Sequence, residues 1–96
     1  MKRNKAEPVG DLVRALLRQE GLETPLNEYR LIKAWPGVVG QTIAHYSEAL
    51  YIRNQVLYVH FTSAVLRQEV SLNRTVLVQQ LNRSVGASVI TDIVFR

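Results

Sequence analysis

The chain has 96 residues, enough for one domain with a modest core, and its 47% hydrophobic content argues against wholesale disorder. It has no cysteine, which excludes a disulfide framework, a thiolate nucleophile and a cysteine metal site, and fits a reducing cytoplasm. Twelve Lys and Arg against eight Asp and Glu leave +4, and Lys2, Arg3 and Lys5 carry three of those charges. The remainder is mildly basic, a balance compatible with nucleic acid and equally with plain solubility.

Residues 1–7 are polar and basic with nothing to bury, so a mobile arm is expected there. No apolar run follows that basic start, which speaks against export, and no stretch reaches the ~20 apolar residues of a membrane span. From Pro8 onward a single domain over 8–96 is expected. Val9, Leu12, Val13, Leu16 and Leu17 fall at i, i+3, i+4, i+7 and i+8, one stripe of an amphipathic helix, with Gly21 placed to stop it. Arg14 and Arg18 share its polar face, which reads as solvated.

Thr24 as N-cap and Pro25 at the first helical position open a second helix, whose stripe is Leu26, Tyr29, Ile32 or Lys33, and Trp35, widened by Leu31 and Ala34. Pro36 predicts a break or kink at Trp35. Gly37–Ala44 reads as a further helix in which Gly40 is tolerated for close packing.

Residues 49–61 are the clearest hairpin signal: two runs rich in β-branched and aromatic residues flank Arg53-Asn54-Gln55. Leu50 and Ile52 face one way and Ala49 and Tyr51 the other; Val56, Tyr58 and His60 alternate with Leu57, Val59 and Phe61. Such alternation predicts a sheet covered on one face and partly exposed on the other. Thr62 and Ser63 offer the cap of a helix carrying Val65, Leu66, Glu69 and Val70; after a break at Asn73-Arg74, a second stripe of Val76, Leu77, Leu81 and Val85 runs to Gly86. Val89–Phe95 closes the chain as a third strand. Since two helices intervene, it pairs parallel to an earlier strand. The class is α+β: a three-stranded sheet packed on helices.

Little points to catalysis. His45 and His60 sit on separate elements without metal-ligand spacing, the carboxylates form no acid–base pair, and no serine has a nucleophile-elbow context. Pro36–Gly40 has two glycines but neither a preceding strand nor a following Lys-Ser/Thr, so it is a poor phosphate loop. A non-enzyme without metal, cofactor or small-molecule substrate is expected.

Trp35-x-x-Val38-Val39-Gly40-x-x-Ile43-Ala44-His45, followed by Leu50–Val59, resembles the opening of the DciA family, formerly catalogued as a domain of unknown function. Thr62–Glu69, Leu77-x-x-x-Leu81-Asn82-x-x-x-Gly86 and Val89-Ile90-x-x-Ile93-Val94-Phe95-Arg96 resemble the segments that follow there. The resemblance covers residues 12–96, with Trp35, Gly40, Leu57 and Leu81 among its structural positions. It implies a KH-like domain of type II order (αββααβ), here with an extra N-terminal helix. It implies a bacterial cytoplasmic adaptor that contacts the replicative DNA helicase and assists its loading on single-stranded DNA at initiation. One departure bears on mechanism: where KH modules carry Gly-x-x-Gly, this chain has Ser71-Leu72-Asn73-Arg74, with no glycine to admit a phosphate backbone. A second is that the only disordered basic segment expected is the short arm.

Trp35 closes a helical apolar stripe and reads as a core anchor rather than a base-stacking platform. Tyr51 and Tyr58 admit two readings, stacking bases on an open sheet or packing under a helix. Arg53, Arg67, Arg74 and Arg83 read either as a scattered solvated set or, with Lys2, Arg3 and Lys5, as a phosphate-tracking surface giving weak affinity for single-stranded DNA. Two other functions stay open: a stand-alone nucleic-acid module, most naturally for RNA, and a protein-interaction domain without nucleic acid.

Overall fold

The computed structural model describes residues 10–13, Leu16 and residues 23–96. Residues 10–13 and Leu16 have helical backbone, and Leu12, Val13 and Leu16 of the expected stripe are exposed. The basic arm with Lys2, Arg3 and Lys5, the stripe members Val9 and Leu17, the pair Arg14 and Arg18, and the stop at Gly21 lie outside the described residues.

The first complete helix, α1 (Glu23–Val39), buries Leu31 and Trp35, four residues apart and so on one face. Its start lies one residue before the expected cap at Thr24. Tyr29, placed in the predicted stripe, is instead 59% exposed, and the Lys33 ammonium lies 5.6 Å from its ring centroid. The expected break at Trp35–Pro36 is absent, since α1 runs through Pro36 to Val39. An interior proline costs about 3 kcal/mol through its missing N–H and its clash with the preceding turn. Here Pro36 sits on the exposed side while its neighbour Trp35 anchors the core, and the Pro36 carbonyl still accepts from Gly40 N–H at 2.9 Å. The chain breaks at Gly40, with φ 95° and ψ 163°, which also corrects the expected helix over 37–44. Nothing lies within 4 Å of where a Cβ would stand on Gly40, so close packing is not its reason; a backbone region essentially reserved for glycine is.

Helix α2 (Gln41–His45) leads into β1 (Ser47–Arg53). At this junction Trp35 Nε1–H donates to Ser47 Oγ at 2.9 Å, and the Ser47 hydroxyl donates to the Ala44 carbonyl at 2.8 Å. That relay satisfies the buried indole N–H and ties α1 to the first strand. Strand β2 (Val56–Phe61) pairs antiparallel with β1, Tyr51 opposite Tyr58 and Arg53 opposite Val56. The two-residue turn has φ 51° at Asn54 and 65° at Gln55, the positive pair of a type I′ hairpin. A bulge between Glu48 and Tyr51, with Ala49 at φ 53°, bends the start of β1.

Helices α3 (Ala64–Ser71) and α4 (Arg74–Val85) cross over to β3 (Asp92–Phe95). Ser63 caps α3 by accepting from Leu66 N–H at 3.3 Å, the break falls at Leu72–Asn73, and Gly86 ends α4 at φ 84°. β3 pairs parallel to β2, giving a mixed sheet of order β1-β2-β3. It begins at Asp92, three residues after the predicted Val89. Val89 and Ile90 are buried, but in a loop held by Asn82, whose Oδ1 accepts from both their N–H groups (3.0 and 3.1 Å) and whose Nδ2 donates to the Ile90 carbonyl at 2.8 Å. A side chain supplies there what a strand partner would have supplied.

The fold is α+β, a three-stranded mixed sheet packed on helices. Leu57, Val59, Phe61 and Ile93 line the covered face and meet Leu31 and Trp35 of α1, Val70 of α3 and Leu77 and Leu81 of α4. Phe61 lies at the centre of an aromatic row, 6.5 Å from Trp35 and 5.8 Å from Phe95.

Candidate nucleic-acid interface

The opposite face of the sheet carries no helix among the described residues, and the same two-residue alternation decides what it presents. From β1 come Tyr51 and Arg53, from β2 Tyr58 and His60, from β3 Val94, and beyond its end Arg96. The rings of Tyr51 and Tyr58 lie nearly parallel, 8° apart in plane with centroids 4.8 Å apart. The Arg96 guanidinium sits 5.0 Å from the Tyr58 centroid and donates to the Tyr51 hydroxyl at 2.5 Å. Tyr51 and Tyr58 therefore pack on each other and on an arginine, and among the described residues no helix lies over them. Two carboxylates on this side are engaged: Glu48 lies 3.6 Å from His60 Nε2, and Asp92 lies 3.3 Å from Arg74 Nε.

A second feature lies along the free edge of β3. Arg96 N–H donates to the Val59 carbonyl and the Arg96 carbonyl accepts from Phe61 N–H, so both its backbone groups face β2. By alternation the backbone groups of Ile93 and Phe95 face outward. The Ile93 N–H is taken by the Asp92 carboxylate at 2.8 Å. Beside this edge α3 and the α3–α4 turn form an open groove of about 470 Å³, with Arg67, Gln68, Ser71 and Arg74 on its helical wall and Ile93, Val94 and Phe95 on its strand wall. Bidentate guanidinium donors above an edge of backbone donors and acceptors can hold phosphate and base edges together.

The chain thus brings Arg67 and Arg74 into one groove and sets Tyr51, Tyr58 and Arg53 on one sheet face. Arg83 is exposed in the last turn of α4 and lines neither feature. Trp35, Leu57 and Leu81 are core residues at 1%, 0% and 0% exposure. Sequence reasoning missed Arg96. Its signal was the two-residue alternation continued past Val94, which puts residue 96 on the open face. A second groove is lined by six apolar side chains, Val38, Val39, Ile43, Val70, Val76 and Leu77, with Asn73 and Gln80, and Leu72 beside it in sequence is 77% exposed. Among the described residues no three His, Asp or Glu side chains gather as a metal would need, and no helix is long and apolar enough to cross a membrane.

A family model described as "Dna[CI] antecedent, DciA" matches residues 8–95. A UPF0232 protein of Mycolicibacterium paratuberculosis is 28% identical over 87 residues, covering 91% of this chain and 48% of that relative. The chain spans about half the length of this curated relative.

Proposed function

Since the chain belongs to the DciA family, which is associated with helicase loading in general, we propose that it is a non-catalytic cytoplasmic adaptor that contacts the replicative DNA helicase and assists its loading on single-stranded DNA at initiation. Residues 8–96 act as one KH-like unit of type II order, a reading supported by the succession helix, two antiparallel strands, two helices, parallel strand. The observation that carries the nucleic-acid half is the groove between α3 and the β3 edge. On the KH-like reading this groove, lined by Ser71 and Arg74, corresponds to the one in which a KH module holds its strand, with Ser71–Arg74 standing for the Gly-x-x-Gly loop. Without glycine the phosphates cannot approach the backbone closely, so Arg67, joined by Arg74 as it exchanges Asp92 for the strand, reaches them through its side chain instead, while Lys2, Arg3 and Lys5 add attraction from the arm. Contacts of this kind give weak, salt-sensitive affinity. The protein-contact half is supported by the groove lined by Val38, Val39, Ile43, Val70, Val76 and Leu77 and by the exposed Leu72 beside it, apolar side chains available to a partner.

Two measurements test the proposal. The chain is expected to co-purify with the replicative helicase of its own organism, and failure to do so removes the adaptor role. Fluorescence anisotropy with single-stranded oligonucleotides is expected to give affinity that falls with salt at a log–log slope of about −0.7 per neutralised phosphate. The Arg67→Ala/Arg74→Ala pair should weaken binding and make the slope shallower by about 1.4. A salt-insensitive or absent signal removes nucleic acid from the account.

A further inference from the structure

We infer that the open face of the sheet holds a base-stacking site separate from the α3–β3 groove, in which the exposed ring of Tyr51 receives a base of a single strand and Arg53 meets its phosphate. The inference rests on the nucleic-acid reading above and adds a second point of contact to it.

Strand β1, strand β2 and the residue just after β3 contribute one planar group each. Arg96, following β3, lies over Tyr58 of β2, and Tyr58 lies parallel to Tyr51 of the edge strand β1. Tyr58 is half-buried between its neighbours, whereas Tyr51 ends the stack and is 42% exposed. A ring that ends a stack has one face already packed and the other facing water, which is the geometry that accepts a further flat aromatic group. The hydrogen bond from Arg96 to the Tyr51 hydroxyl fixes the ring before anything binds, so little side-chain freedom remains to be lost.

Charge selects the occupant. Glu48 is turned to His60 and Asp92 to Arg74, while among the described residues neither Arg53 nor Arg96 has a carboxylate within ion-pair range. Arg53 is exposed two residues beyond Tyr51 on the same face of β1. A platform with a flat apolar surface and, beside it, a cation without a carboxylate partner among the described residues suits a base carried on a phosphodiester better than an aromatic side chain of a protein, which brings no anion.

The test separates bases from phosphates. The full chain is titrated with an oligothymidylate and with an oligonucleotide of equal length whose central positions are abasic, so that the phosphates stay and the bases go. Removing the bases is expected to weaken binding by at least about fivefold. Tyr51→Ala should weaken binding to the oligothymidylate by a similar factor and become indifferent to base removal. Tyr51→Phe, which keeps the ring but loses the hydrogen bond from Arg96, should keep the discrimination between the two oligonucleotides at an affinity slightly below the parent's, and unchanged Trp35 fluorescence in both variants reports an intact core. The Arg67→Ala/Arg74→Ala pair should keep its discrimination between the two oligonucleotides even as its overall affinity falls. Equal binding of both oligonucleotides by the parent, or base discrimination surviving in Tyr51→Ala, overturns the stacking site and leaves the groove standing. Absence of binding to either oligonucleotide at low salt overturns both.

Discussion

On one side of the sheet Leu57, Val59 and Ile93 are fully buried, and on the other Tyr51 and Val94 keep 42% and 37% of their surface in water, although one three-stranded sheet carries both sets. The covered side is held by several devices at once: the aliphatic layer, the Trp35–Ser47–Ala44 relay and the Asn82 clamp on the loop before β3. On the open side, by contrast, the side chains satisfy one another laterally, tyrosine on tyrosine and arginine on both. A side chain there is free to be chosen for what it meets rather than for what it fills, and aromatic and cationic residues gather where stability does not require them.

Six substitutions sharpen this contrast. The largest effect is expected for Trp35→Ala, which should cost about 3–5 kcal/mol in urea denaturation, a large share of a small domain's stability. Tyr51→Ala on the open side should cost only about 1 kcal/mol, the value of a surface aromatic pair. Equal losses at the two positions would erase the distinction. Next, Asn82→Ala leaves the N–H groups of buried Val89 and Ile90 without their acceptor and should cost about 2–3 kcal/mol, with faster amide exchange in that loop than in β2. Third, the two glycines that end helices should differ. Gly40→Ala, in the glycine-only region, should cost about 2 kcal/mol, and Gly86→Ala, in the left-handed region open to other residues, about 1 kcal/mol. A Cβ meets no atom within 4 Å at either site, so both costs are backbone costs. The smallest change has the opposite sign: Gln55→Gly relieves φ 65° in the hairpin turn and should raise stability by about 0.5 kcal/mol, read as a shift in denaturation midpoint.

Much of the fold was legible along the chain because it is written in short-range patterns. The alternation through Val56–Phe61 assigned Leu57, Val59 and Phe61 to the interior, Ser63 and Gly86 bounded the crossover helices, and the length of that crossover made β3 parallel. Where the reading failed, a tertiary contact outweighed a local preference. Pro36 should have stopped a helix, but the burial of Leu31 and Trp35 on its far side holds α1 together through it. Val89 and Ile90 have the composition of a strand, yet the Asn82 side chain takes their hydrogen bonds and keeps them in a loop. Of the candidate site, the individual arginines and tyrosines were visible, but their grouping was not. Arg67 and Arg74 share a groove only because the α3–α4 turn lies against the β3 edge, and Arg96 joins Tyr51 across 45 residues of chain.

The sequence by itself determined the order of the elements, the two sides of the central strand and the tryptophan at the core, since each follows from the period of a strand or helix and the cost of wetting apolar surface. Only the tertiary structure decided which charged and aromatic side chains stand together, because that depends on register and on where the crossover helices come to rest. Those are distances between residues far apart in the chain, and no local propensity encodes them.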